Sequence, residues 1–155
     1  MPLFRKRYPP KSEVKIDQNA ADWSVATGVI DGKTAILRSW KPAERLRGHP
    51  EFRHQVGVAV PLRAPDERGL PSAAENAQVD RIEDLLLGAL CENNDAIFVG
   101  TITTSGMKEF VFYTSNPQMV AKKVETVRTS VTTHEVQLNI QDDPDWAVHK
   151  EFFSW

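Results

Sequence analysis

The sequence predicts an α+β fold, a ferredoxin-like split βαβ sandwich with an added N-terminal β-hairpin and a short C-terminal helix. The first observation is residues 52–141, where hydrophobic periodicity and turn residues indicate the order strand, helix, strand, strand, helix, strand. The second is an upstream Asp-Gly pair between two alternating segments, and the third is an Asp-Pro-Asp segment before an aromatic C-terminus. We expect a sheet of about six strands with both long helices on one face.

The N-terminal hairpin is predicted from alternation. Residues 23–29 place Trp, Val, Thr and Val at every second position, and residues 34–40 place Thr, Ile, Arg and Trp in the same way. Between these segments, Asp31 and Gly32 suit the two positive φ angles of a type I′ turn. Residues 41–51 contain two prolines and a glycine, which predicts a loop.

The next segments predict a strand followed by the first helix. Val56, Val58 and Val60 share one face of the strand, which Pro61 ends. Ser72 begins the helix as the N-cap of a capping box, in which a glutamate three residues later returns a hydrogen bond to the cap. The apolar face of this helix, at the spacing that packs on a sheet, consists of Val79, Ile82, Leu86 and Leu90.

The second half of the chain repeats the pattern of strand and helix. Residues 96–99 are apolar at both parities, which predicts a central strand covered on two sides. Ser105 and Gly106 turn the chain into a strand at residues 109–113. Asn116, followed by a proline, begins the second helix, and a strand with one polar face and a short terminal helix complete the chain.

Length and composition indicate one domain in a reducing compartment. The chain has 155 residues, of which 41% are hydrophobic and 26% charged. No apolar run approaches the roughly 20 residues of a membrane span, and the basic N-terminus is not followed by the apolar core of a signal peptide. The single cysteine, Cys91, cannot form an internal disulfide. We expect a cytoplasmic protein without membrane contact.

Residues 1–20 are predicted to be a basic, flexible arm, and residues 21–155 to be a single α+β domain. The first 15 residues contain five bases and one acid, so they carry +4, and the rest of the chain carries −6. A solubilising terminus is the simpler interpretation of the arm. RNA binding through its bases is an alternative, which a steep salt dependence would reveal. The five bases are Arg5, Lys6, Arg7, Lys11 and Lys15.

Motifs for catalysis or metal binding are not found in the sequence. The four histidines have no recognisable neighbours, and no paired spacing of cysteine or histidine suits zinc. Asp143 and Asp145 are expected to accept amide hydrogen bonds at the start of the terminal helix instead of binding a cation. Phe110 and Phe112 share one strand face but are expected in the core, because the acidic body repels RNA. We expect no metal and no cofactor.

Four short segments of the chain resemble those of a known family. They are Gly69 to Pro71, Ile82 to Leu85, the hairpin from Gly100 to Tyr113, and Asp143 to Trp146. In this order they resemble the bacterial family called domain of unknown function 695, which is similar to the family of ribonuclease E regulator B. The resemblance implies an α+β fold and no established catalytic residue. The related regulator binds an endoribonuclease and restrains it.

The leading functional hypothesis is a non-enzymatic regulatory domain that acts through protein–protein contacts, such as contacts that modulate RNA-processing machinery. A complete small fold without a reactive group favours it, as do the aromatic residues at the C-terminus, which suggest a partner groove or a homodimer. The candidate binding residues are Glu83, Asp84, Lys108, Glu109 and Trp146.

The alternative hypothesis is a small-ligand-binding protein or a hydrolase. Its pocket would lie between the hairpin of residues 95–116 and the helix of residues 72–91. Glu83 or Asp84 would act there as the acid or base, near Thr103 or Tyr113. A buried carboxylate with a raised pKa in a concave site would support this hypothesis.

Overall fold

The computed structural model describes residues 8–14 and 22–155. Within these ranges the chain forms three α-helices and a six-stranded sheet in which all neighbours are antiparallel, in the order β1-β2-β4-β5-β3-β6. The predicted α+β fold, with its N-terminal hairpin and short C-terminal helix, is confirmed. The elements are β1 Trp23–Ile30, β2 Lys33–Trp40, β3 His54–Pro61, α1 Ala73–Leu90, β4 Ala96–Thr104, β5 Met107–Thr114, α2 Pro117–Ser130, β6 Gln137–Asp142 and α3 Ala147–Phe153, with 3-10 turns at Lys11–Glu13 and Lys41–Leu46.

The two hairpins close through two-residue turns, as their sequences predict. Asp31 and Gly32 have φ angles of 51° and 78°, and Ser105 and Gly106 have 52° and 78°. Positive φ at both central residues is the signature of a type I′ turn, whose twist matches that of the strands. These turns set the register of β1 with β2 and of β4 with β5. Strand β2 also pairs with β4, so it lies inside the sheet.

Helices α1 and α2 share a core with one face of the sheet. Ser72 Oγ accepts the Glu75 amide at the start of α1, and Asn116 Oδ1 accepts the Met119 amide at the start of α2. Val120, Val124 and Val127 of α2 and the predicted apolar face of α1 are buried against the sheet. From the strands this core includes Val56, Val58, Val60, Ala96, Phe98, Phe110 and Phe112.

The opposite face of the sheet has its own core, covered by α3 and the 3-10 turn after β2. Trp146 is fully buried there and stacks on Tyr113. Asp143 accepts the amides of Ala147 and Val148, so its predicted role is confirmed. The same prediction for Asp145 is wrong, because this residue is exposed and accepts no amide of α3 among the described residues. Gly100 permits the close approach of α3, because a Cβ at this position would lie 2.5 Å from Cε1 of Phe153.

Residues 8–14, which belong to the predicted arm, contact the domain. Val14 is buried, the Tyr8 hydroxyl donates to the Arg47 carbonyl, and Lys11 forms an ion pair with Asp95. The other arm residues, 1–7 and 15–20, lie outside the described residues. The flexible arm therefore stays a prediction.

Helix α1 is the longest helix, with 18 residues, and five of them are charged. A membrane span of that length is predominantly apolar. Within the described part of the chain, no helix is both long enough and apolar enough to cross a bilayer.

Candidate functional site

The structure separates the five predicted binding residues. Glu83 and Lys108 come together between α1 and β5. Asp84 is exposed on α1, and Glu109 is half-buried on the opposite face of the sheet from Lys108. Trp146 is fully buried in the core under α3, so it presents no surface to a partner in this structure. Only the pair of Glu83 and Lys108 belongs to a shared site.

This pair lies beside a cleft on the helix side of the sheet. The cleft has a volume of about 370 Å³ and lies where β1 and β2 extend the sheet beyond α1. Its apolar wall includes Val25, Ile36 and Leu70, and its far end is formed by Ser72 and Ala73 at the start of α1. We call it the helix-side cleft.

The polar floor of the helix-side cleft follows from strand register. Arg38 on β2 pairs with Thr101 on β4, and Thr103 on β4 pairs with Lys108 on β5. Paired residues of antiparallel strands point to the same face, so these side chains form two short rows that line the cleft. Arg68, an exposed residue of the loop before α1, completes the lining and pairs with Asp66.

Carboxylates lie behind the basic residues of the floor. Glu83 forms an ion pair with Arg38, and Asp80 Oδ1 lies 3.6 Å from Lys108 Nζ. The Arg38 guanidinium also covers the Trp23 ring, 4.7 Å from its centroid. We call Arg38, Asp80, Glu83 and Lys108 the charged cluster. Among the described residues, only the basic members of this cluster line the cleft.

Burial shifts the pKa values of the charged cluster. Burial raises the pKa of Glu83, although the charges of Arg38 and Lys108 oppose the rise. Burial lowers the pKa of Lys108, and the charge of Glu83 opposes that change. Both shifts mean that the ionised groups lack full compensation for lost water. The Nε atom of Arg38 adds a buried donor without a hydrogen-bond partner in the described structure.

The first turn of α1 adds a further preference for anions. The amides of a helix N-terminus point outward and carry partial positive charge. The Glu75 and Asn76 amides are already bonded to Ser72, so they are not available to a ligand, and Ala73 at the first helical position lines the cleft. The cleft thus combines Arg38, Lys108 and two threonine hydroxyls with a helix N-terminus. This set of donors is suited to bind a carboxylate or a phosphate.

The residues of the hydrolase hypothesis do not form a nucleophile with a base in reach. Glu83 is engaged by Arg38 and does not line the cleft, and Asp84 points to solvent. Thr103 lines the cleft, but Tyr113 lies on the opposite face, where its hydroxyl donates to Asp143. The described residues contain no group of three His, Cys, Asp or Glu side chains that could hold a metal ion.

Sequence reasoning missed Arg38, Thr101 and Arg68 as site residues. The available signal was Arg38, a charged residue at the same parity as Ile36 and Trp40 in an alternating strand. That signal alone does not indicate a cleft, because an edge strand can carry a charge at such a position. Only the pairing of β2 with β4 brings Arg38 into the row that faces α1.

Glu75 holds the loop that closes one side of the cleft. The sequence predicts that its carboxylate returns to the helix cap, but Oε2 accepts the Arg63 amide at 2.6 Å and Oε1 accepts the Ala64 amide at 3.2 Å. His134 Nε2 lies 2.7 Å from the same carboxylate. Burial raises the pKa of Glu75, but these hydrogen bonds outweigh burial and the pKa is lowered. The physical reason for the changed partner is that the buried Glu75 carboxylate needs donors, and the two loop amides supply them.

Glu75→Gln is expected to reduce the free energy of unfolding by about 1–3 kcal/mol near neutral pH, because a neutral amide replaces a carboxylate that accepts several bonds. Urea denaturation measures the loss. Because the folded pKa lies below the unfolded value, this stabilisation is present above the ordinary carboxyl pKa and is lost as pH falls through the folded pKa. The difference between wild type and variant should therefore shrink in acid.

The matched control for this prediction is Glu67→Gln, an exposed acid on the same loop. It is expected to change stability by no more than about 0.5 kcal/mol. An equal loss in both variants, or a loss for Glu75→Gln that does not depend on pH, would contradict the assignment.

Comparison with known proteins places the chain in a family. A family model described as a family of unknown function, DUF695, matches residues 21–154 and thus nearly the whole chain. No curated protein matches the chain, and no solved structure does. The match agrees with the resemblance that the four short segments carry.

Proposed function

The chain belongs to the family of unknown function DUF695, and we propose that it binds a small ligand bearing a carboxylate or phosphate group in the helix-side cleft. One observation carries the proposal. Lys108 is only 7% exposed and lines the cleft next to Arg38. Their carboxylate partners, Asp80 for Lys108 and Glu83 for Arg38, do not belong to the lining. An anion in the cleft would complete the coordination of both cations.

The burial of Lys108 is the strongest support. A buried ammonium loses its water and needs a close partner. Its nearest carboxylate, Asp80, is half-exposed and 3.6 Å away, and Glu83 is already paired with Arg38. Structural ion networks also bury lysines, but such a network does not require that the lysine lines a cleft. The position of Lys108 favours a ligand.

The shape of the cleft indicates the rest of the ligand. A volume of about 370 Å³ lies in the range of small-molecule sites. Val25 and Ile36 line the side away from α1, and Val25 is 66% exposed. The expected ligand therefore has an anionic head group near Lys108 and an apolar part over β1 and β2.

The protein-contact hypothesis has less support from the geometry. Of its five candidate residues, Trp146 and Lys108 are buried and Glu83 is largely covered. Only Asp84 is fully open to a partner. Contacts with a protein partner or a second copy stay a prediction. RNA binding through the arm also stays a prediction, and the one base in its described segment, Lys11, is already paired with Asp95.

Two further expectations belong to the same proposal. A ferredoxin-like arrangement is supported by the neighbour order β4-β5-β3-β6. In a split βαβ sandwich made of β3, β4, β5 and β6, the third of these strands, β5, lies between the first two.

A cytoplasmic location is supported by Cys91, which sits against the helix-side core. Burial raises the pKa of its thiol to about 12, so it is suited to packing and not to redox chemistry.

Calorimetric titration at low salt tests the proposed function, with hexyl phosphate as the probe. Wild-type protein is expected to show saturable binding. Lys108→Gln is expected to weaken it by about tenfold or more, because a charge-assisted contact is lost. The matched control is Lys122→Gln, an exposed lysine on α2, which should bind like wild type.

Two results would count against the proposal. One is the absence of saturable binding for hexyl phosphate and for hexanoate. The other is equal weakening by Lys108→Gln and Lys122→Gln, which would indicate nonspecific attraction of anions. Hexylammonium, with the same apolar part and the opposite charge, should not compete.

A further inference from the structure

We propose a second ligand site on the opposite face of the sheet, centred on Glu109, which takes a small primary amine with a short apolar body. Glu109 follows Lys108 on β5, so strand alternation turns the two side chains to opposite faces. The two sites therefore share a strand but no lining residue. This proposal does not rest on the helix-side cleft.

Strand pairing and a glycine create the space for the Glu109 side chain. Glu109 pairs with Ile102 on β4 and with Ala59 on β3. Its carboxylate folds over Gly57, where a Cβ would lie 2.7 Å from Oε1 of Glu109. A larger residue at position 57 would push the carboxylate away. The glycine at position 57 on β3 therefore leaves space for the Glu109 side chain.

The carboxylate opens into a pocket of about 290 Å³, which we call the Glu109 pocket. Ile30, Ile102 and Phe152 form its apolar part, and Gln55 and Asn139 belong to its polar part. A smaller cavity of about 160 Å³ adjoins it and shares Glu109 and Asn139. The Glu109 carboxylate therefore lies at the junction of two spaces.

Among the described residues, the Glu109 carboxylate has no cationic partner in its pocket. The carboxylate of Glu109 has no hydrogen bond and no ion pair within the described residues, and none of the described residues that line the pocket is a lysine or an arginine. Burial raises the pKa of Glu109, and no neighbouring charge opposes the rise. The carboxylate is partly desolvated, and a cationic ligand would supply the partner that the described residues do not.

A primary amine fits these features better than other cations. An ammonium carries three donors, which can be shared among Glu109 and the side-chain oxygens of Asn139 and Gln55, the second of which also accepts from Gln141 Nε2. A metal ion would require several carboxylates or carbonyl ligands, and the pocket lining offers one carboxylate. A short hydrocarbon attached to the amine would contact Ile30, Ile102 and Phe152. We thus expect a ligand with a cationic head and an apolar body.

Butylammonium is the probe for the test, with amide and carboxyl shifts of the full chain observed by NMR. We expect saturable shifts at Ile102, Glu109 and Asn139. Glu109→Gln should weaken binding by about tenfold or more, because the ion pair is lost. The variant should remain folded, since a neutral group replaces a carboxylate that burial disfavours. The matched control Glu92→Gln, an exposed acid, should bind butylammonium like wild type.

Comparison probes make the outcome decisive. Butanol and butanoate share the apolar body but lack the ammonium, and neither should saturate the Glu109 pocket. Saturable binding of either one as strongly as butylammonium would overturn the proposal, because the pocket would then recognise hydrocarbon alone. The absence of saturable shifts with butylammonium, or unchanged affinity in a folded Glu109→Gln variant, would also overturn it.

Discussion

Trp146→Ala is expected to reduce the free energy of unfolding by about 3–5 kcal/mol, the range for large buried aromatic residues. The indole is fully buried and stacks on Tyr113 with the ring centroids 4.0 Å apart. Its Nε1 donates to the Phe52 carbonyl at 2.8 Å. The substitution removes these contacts, leaves a cavity, and leaves a buried carbonyl without its donor. Urea denaturation measures the change.

Trp155→Ala provides the matched control at the same end of the chain. Trp155 is 43% exposed, and its ring lies 4.3 Å from Lys41 Nζ. An exposed cation–π contact is worth about 0.5–1 kcal/mol, so the loss should not exceed about 1 kcal/mol. Equal losses in the two variants would contradict the assignment of Trp146 to the core and Trp155 to the surface.

Arg38→Met is expected to destabilise the protein by about 3 kcal/mol near neutral pH. The substitution keeps most of the apolar stem over Trp23 but removes the cation that pairs with Glu83. The side chain of Glu83 is only 13% exposed. Removal of one partner of a buried pair is costly because the other charge remains unpaired. Chemical denaturation over a range of pH measures the effect.

The pH dependence has a definite sign. Burial already raises the folded pKa of Glu83, and loss of Arg38 raises it further. A folded state that keeps a proton to higher pH than the unfolded state loses stability as pH rises from the unfolded pKa through the folded pKa. The cost of Arg38→Met should therefore be small in acid, where Glu83 is neutral, and largest near neutral pH.

Glu83→Gln in the Arg38→Met background supplies the control for this mechanism. The double variant no longer buries an unpaired Glu83 carboxylate, so much of the lost stability should return. The recovery is incomplete, because the Glu83 charge that opposes the burial cost of Lys108 is also removed. If Arg38→Met costs the same with Glu83 or glutamine at position 83, and the cost does not change with pH, the pair does not act as described.

Local sequence signals predicted the elements well. The Asp31-Gly32 turn, the Ser72 and Asn116 caps, and the alternation of β1 and β2 depend on residues close in the chain, and each appears as expected. Such features have a local physical cause, so one sequence is enough to identify them. Strand parity could also have separated Lys108 from Glu109, since neighbours on a strand face opposite ways.

The site depended on contacts that a single sequence does not reveal. Arg38 reaches Glu83 only because β2 pairs with β4, and 45 residues separate the two in the chain. Glu75 accepts hydrogen bonds from the loop before α1 and contacts His134 from after α2, which its capping-box position did not indicate. The burial of Trp146 likewise follows from the tertiary position of α3. Periodicity gives a face but not the element that covers it.

Mapping of amide chemical shifts during titration with hexyl phosphate tests the central claim most directly, because it locates the anion without altering the protein. We expect saturable shifts concentrated at Ala73, Thr101, Thr103 and Lys108, around the helix-side cleft. Shifts spread over exposed lysines such as Lys122, without saturation and without a focus at these residues, would contradict an anion site in the cleft.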